Sequence, residues 1–238
     1  MERSIYQSIA ERTGKQIYLG IVGPVRTGKS TFIKSFMEQL VLPNIENVYQ
    51  KERARDELPQ SGSGRTIMTA EPKFVPEEAV KITIDESVSL SVRMIDCVGY
   101  MVNGALGQFE DDAPRMVMTP WFDHEIPLAE AAEIGTQKVI TEHSTIGLVV
   151  TTDGTIGEIA RADYVPAEER IVSELKEINK PFCMLLNSSS PKAPQTVELA
   201  DSLSKKYGVS CLPVNCMELE KQDITEILTT VLYEFPAK

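Results

Sequence analysis

Basic residues are scarce in this chain. Its 238 residues include 24 Lys and Arg against 35 Asp and Glu, a formal net charge of -11. Such a surface repels phosphate backbones, which argues against general nucleic-acid binding, and it disfavours adsorption to anionic lipid. Metal ligands are few as well. The four cysteines, Cys97, Cys183, Cys211 and Cys216, form no CxxC pair, and His124 and His143 are the two histidines. A zinc site is hard to assemble from that set, and cysteines in or beside apolar runs read as buried free thiols of a reducing cytosol. No apolar run approaches the length of a membrane span, and the polar, charged first 13 residues form no signal peptide. A cytoplasmic chain is expected. What remains is ordinary globular composition, 42% hydrophobic and 25% charged, enough for one large domain over 1–238.

The order of apolar runs suggests how that domain is built. Residues 17–22 read as a buried strand, and 30–40 as a helix with Phe32, Ile33, Phe36, Met37 and Leu40 on one side. Residues 42–76 carry four prolines and a Ser-Gly-Ser-Gly stretch, which predicts a long, partly mobile loop. Strands are expected at 80–84, 90–95, 145–152, 182–186 and 209–214, with helices at 129–142, 167–179, 195–207 and 224–233. Residues 98–126 read as loop. The helical stretch Glu168 to Lys176 reads as a solvated face, and Trp121 as a packing anchor. This alternation implies an α/β domain with a mostly parallel sheet and helices on both faces.

The chemistry starts directly after the first strand. Gly23-Pro24-Val25-Arg26-Thr27-Gly28-Lys29-Ser30 fits GxxxxGK[ST] at every fixed position. Backbone N–H groups must converge on a polyanion, so glycines stand where the chain turns tightly, and the next helix points its positive end at the phosphates. Lys29 can neutralise the β- and γ-phosphates, and Ser30 can place its hydroxyl on Mg²⁺. Gly23, Arg26, Thr27, Gly28, Lys29, Ser30 and Thr31 are therefore candidate nucleotide contacts. For Arg26, a solvent-facing side chain stands equally open.

Asp96-Cys97-Val98-Gly99 follows an apolar strand, where a P-loop protein places the acid of its magnesium site, and the Gly99 N–H can meet the γ-phosphate. Between the two motifs, Thr66 and Thr69 are both candidates for a threonine that senses Mg²⁺ and the γ-phosphate. Two absences mark the chain off from a regulatory GTPase. Tyr100 stands where many GTPases place a water-orienting glutamine, so hydrolysis should be slow or rely on a residue elsewhere. Asn187-Ser188-Ser189-Ser190 occupies the place of NKxD and lacks its lysine and its acid. Without that carboxylate guanine loses its bidentate reader, and ATP fits a GTPase-like frame. Asn187, Ser188, Asn215 and Cys216 are the candidate contacts to the base. The competing readings are a regulatory GTPase-like switch and a nucleotide-binding structural module with negligible catalysis.

Several longer strings carry a family resemblance. GPVRTGKST at 23–31, VLP at 41–43, DELPQS at 56–61, TIMTAEPKFVP at 66–76, DCVGY at 96–100, EHSTIGLVVTTDGTIG at 142–157 and YEFP at 233–236 resemble the stage IV sporulation protein A family. The resemblance covers essentially the whole chain, and family members are roughly twice as long, so it implies an N-terminal nucleotide-binding domain. It further implies a P-loop NTPase of GTPase-like (TRAFAC-type) fold with long switch loops, which binds and hydrolyses ATP with Mg²⁺. Hydrolysis in that family drives self-assembly into a homopolymer, the basement layer of the spore coat, on the mother-cell face of the forespore. Other spore coat proteins and a small amphipathic membrane-anchoring peptide are implied partners, through regions absent here. Carried over residue by residue, Lys29 binds phosphate, Asp96 serves the magnesium site, and Thr69 is the sensing threonine. With Ser30 these make a metal set of Ser30, Thr69 and Asp96, and a catalytic set of Lys29, Thr69 and Asp96. The chain has Ala70 where the family pairs a second threonine.

Overall fold

The computed structural model describes residues 7, 10, 11, 13–60, 72–84, 88–119 and 121–234. In chain order they form β1 (Gln16–Val22), α1 (Lys29–Phe36), α2 (Val48–Asp56), β2 (Lys73–Ile84) and β3 (Val88–Asp96). Four two-residue strands follow, β4 (Phe109–Glu110), β5 (Ala113–Pro114), β6 (Met116–Val117) and β7 (Ile126–Pro127). Then come α3 (Leu128–Lys138), β8 (Ile146–Thr152), α4 (Arg161–Glu177), β9 (Phe182–Asn187), α5 (Pro194–Tyr207), β10 (Cys211–Val214) and α6 (Lys221–Glu234).

Six strands make one sheet in the order β10-β9-β8-β1-β3-β2. All neighbours run parallel except β2, which pairs antiparallel with β3 at the edge. A parallel strand covered on both faces needs apolar residues at nearly every position, and β8 and β9 are buried throughout. Side-chain alternation then divides the core in two. Leu148, Val150, Cys183 and Leu185 join Phe32 and Phe36 of α1 and Ile224, Ile227 and Val231 of α6 on one face. Val149, Met184 and Leu186 join Ala131 of α3, Ile171 and Leu175 of α4 and Leu203 of α5 on the other. Truncating such a residue, as in Leu148→Ala, removes packing on the order of 2–5 kcal/mol.

Three expectations are corrected. Residues 42–76 are not one loop: α2 lies within them, and β2 begins at Lys73. α2 is capped by Asn47, whose side chain accepts from the Gln50 N–H at 3.1 Å, and is steadied by an Arg53–Glu57 pair of 2.9 Å. It buries little apolar surface, so no periodicity announced it. α4 starts at Arg161, ahead of Pro166, which sits inside the helix. Glu168 faces the interior, not solvent. It is fully buried, salt-bridged to Arg161 at 2.7 Å, and accepts from the hydroxyls of Tyr207 at 2.8 Å and of Thr151. A buried carboxylate persists only when its oxygens are satisfied this way, and here it fastens α4 to β8 and α5. The four cysteines are free and buried.

Candidate functional site

In an open parallel sheet, ligands bind outside the carboxyl ends of the strands. Here that edge gathers the loops after β1, β3, β8, β9 and β10, and every described candidate residue lies in them, at the last position of β3 or β9, or in the first turn of α1.

The loop after β1 turns into α1 at Gly28, which caps the helix at φ 95°. A Cβ there would stand 2.3 Å from Asn187 Nδ2, so only glycine lets the loop pass under Asn187. Gly99 is confined in the same way. A Cβ on it would lie 2.3 Å from the Gly23 carbonyl oxygen and 2.5 Å from Lys29 Nζ. Thr27 Oγ1 donates to the Pro24 carbonyl at 3.0 Å, closing the loop on itself.

Lys29 is buried and curls over that loop, donating from Nζ to the carbonyls of Pro24 at 2.7 Å and Gly23 at 3.5 Å. Burial pulls its ammonium down to about 8, against the opposing pull of Asp96. Ser30 Oγ donates to Asp96 Oδ2 at 2.6 Å. Asp96 is buried, and its other oxygen, Oδ1, has no hydrogen-bond partner. Burial raises its carboxyl, while Ser30, Lys29 and Lys73 act to lower it. A carboxylate oxygen left bare beside a helix-start hydroxyl fits a hard divalent cation, whose preferred ligands are oxygens. Ser30 and Asp96 thus fit the magnesium ion that the fold implies. Thr31 follows on α1, partly buried, and Arg26 adopts φ 61° and is partly buried close to Lys29. Thr66 and Thr69 lie outside the described residues.

The loop after β3 is strapped to the phosphate loop through main chain. The Tyr100 N–H donates to the Gly23 carbonyl at 3.2 Å, and the Val25 N–H donates to the Tyr100 carbonyl at 2.8 Å.

At the base end, Asn187 is a strut. Its Nδ2 donates to the Thr27 carbonyl at 3.0 Å, and its Oδ1 accepts from the Cys216 N–H at 3.0 Å. One side chain therefore ties the phosphate loop to the loop after β10. Ser188 is fully buried and accepts from the Ser190 N–H at 3.0 Å. The Cys216 thiol lies in the core, which leaves that residue's main chain alone to meet a base. Asn215 folds onto its own turn, accepting from the Met217 N–H at 3.1 Å and donating to Glu218 at 3.2 Å.

One cluster had no role in the sequence reading. Asp153, after β8, accepts from the Thr155 N–H at 2.9 Å and hydroxyl at 2.6 Å, and from the Thr196 hydroxyl at 3.3 Å. The Thr155 hydroxyl in turn accepts from the Ser189 N–H at 2.9 Å. Hydroxyl and amide donors outweigh partial burial and hold the Asp153 carboxyl below its usual range. The cluster ties the loop after β8 to the loop after β9 and to α5. Its sequence signal is the D-x-T turn just past a strand.

The family model for the ATPase domain of stage IV sporulation protein A matches residues 1–236. Stage IV sporulation protein A of Bacillus anthracis is 57% identical over 232 residues, 98% of this chain and 47% of that protein. The Clostridioides difficile protein of the same name is 56% identical over 236 residues, 99% of this chain and 48% of that one. The chain thus spans about half the length of the curated relatives it matches. Among solved structures, it is similar to the FeoB G-domain from Methanococcus jannaschii, with a TM-score of 0.45 and 12% identity over 92% of this chain and 99% of that one. Among the described residues, no helix is long and apolar enough to cross a membrane. The chain belongs to the stage IV sporulation protein A family and carries its ATPase domain.

Proposed function

We propose that this family member binds ATP with Mg²⁺, hydrolyses it slowly, and uses hydrolysis to drive self-assembly of a spore-coat scaffold. The observation that supports this most is the preformed phosphate end: a buried Lys29 over the phosphate loop, Ser30 on Asp96, and one Asp96 oxygen without a partner. The Lys29 ammonium leaves its two carbonyl partners for the β- and γ-phosphates. The main-chain N–H groups of the loop and the start of α1 receive the remaining oxygens. Gly99, packed against Lys29, offers its N–H as a donor to the γ-phosphate, where charge develops. When bound at Ser30 and Asp96, with Thr69 as the third proposed ligand, the metal ion neutralises charge on the β- and γ-phosphates.

ATP rather than GTP follows from the base end. No acid stands after Asn187 to accept from guanine, and Asn187 itself is occupied on both sides. Assembly extends the proposal: a homopolymer in the mother-cell cytoplasm at the forespore surface, with coat proteins and an amphipathic membrane-anchoring peptide engaged through the half of the relatives' length not matched here.

The test is ATP competed against GTP by calorimetry, with phosphate release and light scattering followed in parallel. ATP is expected to bind in preference, and scattering to grow only with hydrolysable ATP and Mg²⁺. Tighter binding of GTP would overturn the base assignment. Scattering that grows equally without hydrolysis would overturn the coupling to assembly.

A further inference from the structure

Tyr100 occupies the place of the glutamine that orients water in many GTPases, yet its side chain is buried and lies against α4. Its phenol donates to Glu174 Oε2 on α4. The other oxygen of Glu174 accepts from Arg170 Nε at 3.2 Å. The Arg170 guanidinium lies over the Tyr100 ring, 4.9 Å from its centroid. It also grips Glu133 of α3 with both terminal nitrogens, at 2.6 Å and 2.9 Å. At the other end of the residue, the Tyr100 peptide is bonded to Gly23 and Val25 of the phosphate loop. A continuous chain therefore runs from that loop through Tyr100 to Glu174, Arg170 and Glu133, anchored on two helices.

A phenol that only filled space would be replaced by phenylalanine without loss. This one is aimed at a single carboxylate whose second oxygen is already committed, so the hydroxyl has a defined task. Burial, and then Glu174, raise the phenol above its usual range, so it stays a donor across working pH.

We propose that Tyr100 is a positioning residue for ATP hydrolysis, its hydroxyl on Glu174 holding the loop after β3 so that the Gly99 N–H meets the transferring phosphate. The role rests on the ATPase reading above. Tyr100 acts through Gly99 and the phosphate loop and does not touch the attacking water. Holding a donor where charge develops favours the transition state over the ground state, so loosening the anchor should lower turnover while sparing binding.

The test compares Tyr100→Phe, Glu174→Ala, Glu174→Gln and the Tyr100→Phe/Glu174→Ala double variant by kcat, KM and ATP Kd. Tyr100→Phe keeps the ring under Arg170 and removes only the hydroxyl. Tyr100→Phe and Glu174→Ala should each lower kcat about tenfold, the size of effect a small misplacement causes, with Kd within about twofold of wild type. The double variant should fall no further than the worse single change, because both break one link. Glu174→Gln keeps an acceptor oxygen and should recover much of the turnover. A kcat within about twofold of wild type in both single variants would overturn the role, as would losses that multiply in the double variant. So would a Tyr100→Gln protein faster than wild type, since that places the residue on the water. Thermal unfolding accompanies each measurement; if Tyr100→Phe fails to fold, the two Glu174 variants decide, because that side chain is 21% exposed. Wild-type protein that binds ATP but never cleaves it would sink the hydrolysis reading and this role together. Active wild-type protein with unaltered variants would sink this role alone.

Discussion

The two ends of the sheet's carboxyl edge treat their polar groups differently. At the phosphate end, groups stand ready for a ligand: Asp96 Oδ1 has no partner, and Lys29 rests on carbonyls it can leave. At the base end, the side chains of Asn187, Ser188 and Asn215 are already committed to main chain, Asn187 to Thr27 and Cys216, Ser188 to Ser190, and Asn215 to Met217 of its own turn. The contrast teaches where affinity and selectivity reside. In the function proposed above, phosphate binding would rest on charge and on a preformed cradle. Base recognition, in that same function, would rest more on main chain and loop shape, because Asn187, Ser188 and Asn215 hold the scaffold instead.

The hardest blow to that contrast is Lys29→Ala. Lys29 is the charged side chain that the motif fixes on the β- and γ-phosphates. Its loss should weaken ATP binding by about a thousandfold, roughly 4 kcal/mol, with the fold retained. Calorimetry giving an affinity within about twofold of wild type would show that the phosphate end does not carry binding.

Next is Asn187→Ala, which cuts the strut joining the two ends. It strands the Thr27 carbonyl and the Cys216 N–H inside the protein. Two buried groups left unpaired should cost roughly 2–4 kcal/mol of stability, read as a lower denaturation midpoint, with ATP binding also weakened. A change below about 0.5 kcal/mol would mean that the ends are independent.

How much of this was legible beforehand follows the same division. The phosphate loop, its strand and helix, Asp96 and the sheet class could be read, because each rests on local spacing or on alternation within one strand. Asn187 was legible as a residue but not as a strut, since its partners Thr27 and Cys216 come from distant loops. Glu168 looked solvated because its helix is charge-rich, and only the packing of β8 and α5 buries it. α2 escaped because capping and an ion pair hold it rather than an apolar stripe. The direction of Tyr100 was invisible, because its partners Glu174 and Arg170 stand on α4, the former 74 residues along the chain.

Ser190→Asp sharpens the base end. Ser190 is exposed, whereas Ser188 is fully buried and leaves no room for a lysine. The single change at 190 is therefore the cleaner restoration of a guanine reader. A carboxylate there can accept from guanine N1 and N2 and would face an acceptor, N1, on adenine. It should move the preference toward GTP by on the order of 1–3 kcal/mol, read as the ratio of the two dissociation constants. An unchanged ratio would show that the base does not reach the loop after β9.

The gentlest test leaves the sequence alone and varies pH. In the unliganded protein burial lowers the Lys29 ammonium to about 8, from an ordinary value of 10.5. Below about 8 the group is already charged, and phosphate meets an ammonium. Above it the amine is neutral in the free protein, and ATP must draw in a proton as it binds. Affinity should thus be flat up to about pH 8 and then fall, by about tenfold between pH 7 and 9, with proton uptake in calorimetry at the upper end. The contribution of Lys29 to the stability of the free protein should respond with the opposite sign. The folded state binds fewer protons than the unfolded chain between about 8 and 10.5, so this group's contribution rises with pH there. The rise should appear as the difference between the pH–stability curves of wild type and Lys29→Ala, because the buried thiols of Cys183 and Cys216, pushed up by burial, pull the other way in both proteins. An ATP affinity that stays flat to pH 10 would mean that Lys29 keeps its proton without the nucleotide, and that the phosphate end is less buried in solution than its geometry implies.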